Sequence, residues 1–250
     1  NVIDTAAAYG NSEKLLGNIS NSLNDFFIFT KLKSLPVNSL NINKTIYQQV
    51  ENSLAHLNMK NIEGLLIHDA GQLMKKEGKE IIDALNKLKK ENKINKIGVS
   101  VYHPKELEFI TKIIDLDLVQ LPFNFVDRRF LKTGWIKKLK DLEIEIHTRS
   151  AFLQGLLLMN YKTIPRKFLQ WKDIWEKWYR WLKFTNQTAL EACIRYCLSL
   201  DEIDRVIVGV QTISQLVEII EAVESNKSFD YPDFSINDEK LLIPYHWEKL

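Results

Sequence analysis

The sequence predicts an α/β protein of the (β/α)8 TIM barrel type, with only seven βα units present in the chain. Three observations carry that expectation. Short apolar, β-branched runs alternate with amphipathic helical stretches along all 250 residues, with no low-complexity linker between them. Most of the runs are continuous rather than alternating, the pattern of parallel strands buried on both faces. Polar residues collect at the C-terminal ends of the runs, and a barrel brings those ends together at one mouth.

In chain order, NVIDT (1–5) is the first strand and leads into the helix-like SEKLLG. FFIFTK (26–31) is the second strand, followed by a helical pattern over NINKTIYQQVENSLAHL (41–57). Here and below, apolar residues three and four apart mark the helices. IEGLLIH (62–68) precedes the helix KEGKEIIDALNKLKKEN (76–92), and KIGVS (96–100) precedes PKELEFITKII (104–114). Pro104 sits where a first-turn proline is tolerated. LVQLP (118–122), IEIHTRS (144–150) and RVIVGV (205–210) complete the strands, the last followed by the helix SQLVEIIEAVES (214–225). The polar strand ends are Asp4, Lys31, His68, Ser100, Gln120 and Arg149. An open doubly wound sheet would scatter them along an edge, and its dinucleotide-binding form needs a G-x-G-x-x-G turn that this sequence lacks; it has no P-loop either.

Composition narrows the function classes. Hydrophobic residues make up 45% and charged residues 26%, ordinary for a globular chain with a sizeable core. A net charge of +2 favours no polyanionic partner, so nucleic acid is not expected. No apolar run reaches the length of a membrane span, and no signal peptide is expected ahead of the first strand. The two cysteines, Cys193 and Cys197, stand four apart on a helical stretch and make no disulfide framework, which suits a reducing cytoplasm. No metal cluster is expected. One domain over residues 1–250 is the expected organisation.

Taken singly, the strand-end residues have ordinary readings. A tyrosine after a strand is usually packing, a Lys–Asp pair can be a plain ion pair, and a lone histidine usually serves the core or a cap. Together, Asp4, Tyr9, Lys31 and His68 support acid catalysis on a carbonyl. A free tyrosine, with a pKa near 10, is a poor proton donor at neutral pH. An ammonium about 4 Å away, at an effective dielectric near 20, stabilises a phenolate by roughly 4 kcal/mol, about three pKa units. A carboxylate beside the ammonium keeps it charged and directed, and a histidine can hydrogen-bond the substrate oxygen. The set holds no nucleophile and no electron donor, so a cofactor must supply what attacks the carbonyl carbon; hydride from a nicotinamide fits.

The chain resembles the aldo-keto reductases, in particular a bacterial branch. IDTAAAYGNSEKLLG resembles the family's first signature, FTK and LLIH its lysine- and histidine-bearing strands, and IGVS, VQLPFN and VIVGVQTISQL its cofactor-binding strand ends. QLPFNFVDRRF and RSAFLQGLLL resemble the bacterial branch. The resemblance implies NAD(P)H-dependent reduction of an aldehyde or ketone, NADPH favoured over NADH. Asp4, Tyr9, Lys31 and His68 would be the catalytic tetrad, with Tyr9 as general acid. Ser100 and Gln120 would hold the nicotinamide carboxamide, and Arg149, Ser150, Gly209, Gln211 and Thr212 the rest of the cofactor. Three positions depart from the family pattern. Val101 replaces the asparagine that commonly follows the serine, Arg149 or Phe152 takes the place of an aromatic that stacks on the nicotinamide, and Gln211 replaces the cation that commonly meets a 2′-phosphate, leaving Thr212 as a phosphate donor. The family barrel also has a strand and helix ahead of IDTA, so the resemblance implies an N-terminally truncated barrel with unpaired outer strands.

Rival functions are a Schiff-base aldolase using Lys31 and a non-catalytic module that senses a nicotinamide cofactor. Remaining features have plain readings: His56 and His147 structural, His103 and His246 in loops, Cys193 and Cys197 core packing, KLKKENKINK (87–96) a solvated helix end. Trp171, Trp175 and Trp178 share a helix face and are expected in the core.

Overall fold

A computed structural model describes residues 1–23, 25–36, 41–225 and 230–250. These divide into two compact units, one of residues 1–120 with 142–145 and one of residues 121–141 with 146–250.

The first unit begins with β1 (Val2–Asp4), α1 (Ser12–Asn18) and β2 (Phe27–Leu32). It continues with α2 (Ile42–Leu57), β3 (Ile62–Ile67), α3 (Gly78–Lys90), β4 (Ile94–Ser100) and α4 (Pro104–Ile110), then the start of β5 (Leu118–Pro122). The strands pair in sequence order and all in parallel. Two registers matter below: Lys31 lies opposite Leu66, and Ser100 opposite Gln120. After its first residue, β2 is buried throughout, its two polar residues Thr30 and Lys31 included, which is why FIFTK reads as a mostly apolar run. Gly64 on β3 is where the Phe29 ring comes closest: a Cβ there would fall 2.2 Å from the ring. Phe29, Leu66 and Leu118 form one core cluster, with Val2 packed against it.

Helix ends follow local chemistry. Asn41 caps α2, its side-chain oxygen accepting from the Lys44 N–H at 2.9 Å. Asn58 closes the same helix in the left-handed conformation. His103 lies in the turn before α4, as expected, and is its N-cap residue; its N–H and that of Tyr102 both donate to the Glu106 carboxylate at 2.7 Å.

The second unit contains α5 (Arg129–Lys132), α6 (Trp135–Asp141), β6 (Glu145–Arg149, all but its first residue), α7 (Lys172–Thr185), α8 (Ala189–Leu198), β7 (Arg205–Val206), α9 (Ile213–Glu224) and α10 (Glu239–Leu242). β6 and β7 pair in parallel, His147 opposite Arg205. The strand expected over 205–210 is regular only at its first two residues. Ile207 still donates to Thr148 at 2.7 Å, but Ile207 and Val208 are half-buried, and one-sided cover supports less ladder than two. Trp175 and Trp178 are fully buried and Trp171 nearly so, as expected; their indole N–H groups donate to Phe168, Leu157 and Asp238 respectively, so each large ring is buried with its polar atom satisfied. α9 buries Ile219 and Ala222 against Ile194 of α8. Its other face leaves Ile213, Leu216, Val217, Ile220 and Val223 exposed. Among the described residues, no helix is long and apolar enough to cross a membrane.

Candidate active site

All four residues of the expected catalytic set, and both residues expected to hold a carboxamide, lie in the first unit. Asp4 ends β1, Lys31 is the next-to-last residue of β2, and His68 directly follows β3. A parallel strand presents alternate side chains on opposite faces. Lys31 therefore points to one face while Thr30 points to the other. Tyr9 stands in the loop between β1 and α1, held by backbone bonds from its own N–H to Ala6 at 2.9 Å and from Ser12 N–H to its carbonyl at 3.0 Å. Gly10, in the left-handed region at φ +56°, turns the chain immediately after it.

The geometry is that of a buried charged centre beneath a tyrosine ring. Lys31 is buried, 1% exposed, and its ammonium donates to Asp4 Oδ2 and to the Thr5 carbonyl at 2.9 Å. The same Nζ lies 5.2 Å from the centre of the Tyr9 ring. The Tyr9 and His68 rings meet edge to face with centroids 6.0 Å apart. Tyr9 itself is 49% exposed, whereas Lys31 beneath its ring is buried. A pair held in low dielectric interacts more strongly than one in water, and the Thr5 carbonyl and Gln120 amide satisfy further sites on it.

Gln120 has a contact that sequence spacing does not reveal. Its Nε2 donates to Asp4 Oδ1 at 2.8 Å. Asp4 thus accepts from Lys31 on one oxygen and from Gln120 on the other, and the Gln120 amide is oriented by a carboxylate that can only accept. Ser100 sits beside it across the strand pair and is buried. Val101, where the family commonly has asparagine, is fully buried and offers no side-chain polar group.

The remaining expected cofactor residues lie in the second unit. Arg149 ends β6 and its guanidinium reaches the Ser150 hydroxyl at 3.3 Å. Ser150 opens a strained segment: Ser150, Leu153 and Gln154 all have positive φ, as does Gly155. Non-glycine residues in that region cost of order 1–3 kcal/mol each and concentrate where a ligand is clamped. Asn124 braces the segment, its side chain donating to the Ser150 carbonyl at 3.0 Å. Phe152 packs on the Ile194 cluster. Gly209 has open space where a Cβ would stand. Gln211 is exposed and its N–H donates to Gln215; Thr212 is the N-cap of α9, its hydroxyl oxygen accepting from the Gln215 N–H at 3.2 Å.

Two residues absent from the sequence reading belong to the surroundings of the first unit's cluster. Glu13 and Thr30 are both buried, and the Thr30 hydroxyl donates to the Glu13 carboxylate at 2.7 Å. A signal was available, since Glu13 sits between Ser12 and the apolar residues of SEKLLG, but a lone helix carboxylate reads as solvated. Cys193 and Cys197 are buried packing residues, as expected; burial pushes the Cys197 thiol up to about 12 and raises Cys193 well above its usual value.

Comparison with known proteins gives a consistent result. The model of the aldo/keto reductase family matches residues 1–240. No curated protein sequence matches the chain. Among solved structures, the holo form of aldo-keto reductase AKR11C1 from Bacillus halodurans is 21% identical, with a TM-score of 0.76 over 92% of this chain and 78% of that one. Its apo form gives 23%, 0.72, 92% and 77%. An aldo-keto reductase from Klebsiella pneumoniae in complex with NADPH is 18% identical, with a TM-score of 0.70 over 91% of this chain and 76% of that one. These likenesses establish the fold as α/β of the (β/α)8 type, of which this chain carries seven parallel strands with their helices.

Proposed function

Because the chain belongs to the aldo/keto reductase family of NAD(P)H-dependent oxidoreductases, we propose that it reduces an aldehyde or ketone to an alcohol, with Tyr9 as general acid. One observation carries the reading: a buried, carboxylate-held ammonium lies 5.2 Å from the ring of a half-exposed tyrosine, with a histidine ring meeting it edge to face.

Each side chain has a distinct task. Tyr9 donates its phenolic proton to the carbonyl oxygen as charge develops there. Lys31 stabilises the phenolate left behind, and Asp4 holds Lys31 charged and aimed. His68 offers a hydrogen bond to the same oxygen, steering the substrate carbonyl toward Tyr9. Gln120 fixes Asp4 from the far side. Hydride for the carbonyl carbon would come from a nicotinamide held beside Ser100 and Gln120.

The residues present fit such a cofactor. With its Nε2 committed to Asp4, Gln120 presents its amide oxygen as an acceptor for a carboxamide N–H, and the Ser100 hydroxyl stands next to it. In the second unit, Arg149 has a flat cation suited to stacking, and Ser150, Gly209, Gln211 and Thr212 are the positions that match the family's contacts to the rest of the molecule. NADPH is the favoured form, in keeping with the Klebsiella relative solved with it, and NADH is a second candidate because Gln211 brings no charge. A Schiff-base role for Lys31 fits less well, since an ammonium tied to a buried carboxylate and a carbonyl is held in its non-nucleophilic form.

The test is a panel of aldehydes, ketones and keto acids with NADPH and NADH, followed by absorbance of the reduced nicotinamide. Tyr9→Phe should lower turnover by at least about a hundredfold while cofactor affinity stays near normal. Cofactor binding with no turnover on any carbonyl would support the sensing module instead. Undiminished turnover in Tyr9→Phe would remove Tyr9 from its role.

A further inference from the structure

In α1, a seven-residue helix, the one buried side chain among its described residues is a glutamate, while Leu15 on the same helix is 64% exposed. Apolar burial would place them the other way round, and a buried carboxylate is often less stabilising than an apolar residue of the same volume. Glu13 therefore calls for a reason beyond packing.

Its partners supply one. Glu13 Oε1 accepts from the Thr30 hydroxyl at 2.7 Å, and Oε2 lies 3.5 Å from Nδ1 of His56 in the last turn of α2. Thr30 immediately precedes Lys31 on β2, so the two side chains leave opposite faces of one strand. On the other side, Glu13 directly follows Ser12, whose N–H donates to the Tyr9 carbonyl and whose hydroxyl accepts from Thr5 at 2.9 Å. The loop is also tied to β2 through Ala7 N–H and the Lys31 carbonyl at 3.2 Å.

We propose that Glu13 is a positioning residue that fixes the Tyr9 loop against the strand bearing Lys31, through its hydrogen bond from Thr30. The inference rests on the reading of Tyr9 as general acid for its effect on rate, but the clamp itself does not. A buried acceptor with a single short bond from a fully buried strand residue sets the distance between helix and strand. That distance determines how far the phenol stands from the ammonium. A misplacement of about 1 Å in such a pair can cost on the order of a hundredfold in rate.

Three variants test it: Glu13→Leu, which removes the acceptor; Glu13→Gln, which keeps a carbonyl facing Thr30; and Thr30→Val, which removes the donor at nearly constant volume and covers the case in which the leucine variant fails to fold. Amide hydrogen exchange at Ala7, Tyr9 and Ser12 should accelerate by about tenfold or more in Glu13→Leu and Thr30→Val and stay near the parent rate in Glu13→Gln. On a turned-over carbonyl, kcat should fall by about tenfold or more in the first two, with cofactor affinity near the parent value, and recover in Glu13→Gln. In a Tyr9→Phe background the leucine change should cost almost nothing further, because its effect runs through Tyr9. Parent-like loop exchange in both Glu13→Leu and Thr30→Val overturns the clamp whether or not turnover is found. Additivity with Tyr9→Phe, or a glutamine variant as damaged as the leucine one, also overturns it. A Tyr9→Phe protein with parent activity defeats the catalytic reading instead, and the exchange measurement still decides the clamp.

Discussion

Replacing Lys31 by methionine separates what the Asp4–Lys31 pair does for stability from what it does for chemistry. Methionine keeps the unbranched length and removes the charge. Among the described residues, Asp4 then keeps only its bond from the Gln120 amide, and breaking a buried pair from one side costs about 3–5 kcal/mol. Chemistry suffers separately. At 5.2 Å and an effective dielectric near 20, the ammonium stabilises a negative charge on the Tyr9 ring by about 3 kcal/mol. Losing that lowers proton donation by roughly a hundredfold. The companion change Asp4→Asn removes the orphaned carboxylate, so the double variant Asp4→Asn, Lys31→Met should regain at least about half of the lost stability. It should regain none of the turnover, because the phenolate still has no cation. Urea unfolding followed by tryptophan fluorescence gives the first quantity, and steady-state turnover at saturating cofactor gives the second. Lys31→Met with turnover within about threefold of the parent would refute the role of the ammonium. A double variant whose activity recovers along with its stability would show that the single change acted through folding alone.

Three further predictions concern the cofactor, the buried thiols and the seat of α1. Gln211→Lys should tighten NADPH by about 1–2 kcal/mol and leave NADH unchanged, read by titration of each cofactor; a native preference for NADPH beyond about a thousandfold would mean that another cation already meets the phosphate. Cys193 and Cys197 should be inert to a thiol reagent at pH 8 until the chain is unfolded, when both react. Their folded pKa values are raised above the unfolded ones, so the stability they contribute is complete below the unfolded pKa, about 8.5, and is lost as pH rises from there toward 12, where Cys197 titrates; urea midpoints that hold constant across that range would contradict the burial. Gly17→Ala puts a Cβ 1.9 Å from the His56 carbonyl oxygen, so α1 must shift off α2, costing about 1–3 kcal/mol in thermal or urea unfolding.

The residues explain how much of this could be read in advance. Continuous apolar runs such as IEGLLI and FIFTK announced β3 and β2 because burial on both faces is a local demand on every residue of a strand. The helix of residues 41–57 was legible to within one residue at its start, its apolar spacing and capping asparagine both being local signals. The last strand was overestimated, since β-branched composition in RVIVGV reports propensity and not burial, and Ile207 and Val208 are only half-buried. His246, expected in a loop, lies instead in a short 3-10 helix over Pro244–Lys249, a turn that opens on a proline already fixed at a helical φ.

By itself the sequence determined which residue types stand at which strand ends: Asp4, Lys31 and His68, with Tyr9 in the loop after the first strand. Chain order and a period of two or 3.6 are properties of neighbouring residues and survive without any fold. Only the tertiary structure decided which of these touch and what else touches them. Lys31 reaches Asp4 across 27 positions, Gln120 reaches it across 116, and Glu13 meets Thr30 across 17. No periodicity carries those pairings. They exist because parallel strands separated by crossover helices align distant residues side by side, and because a buried carboxylate must find donors wherever the fold has brought them.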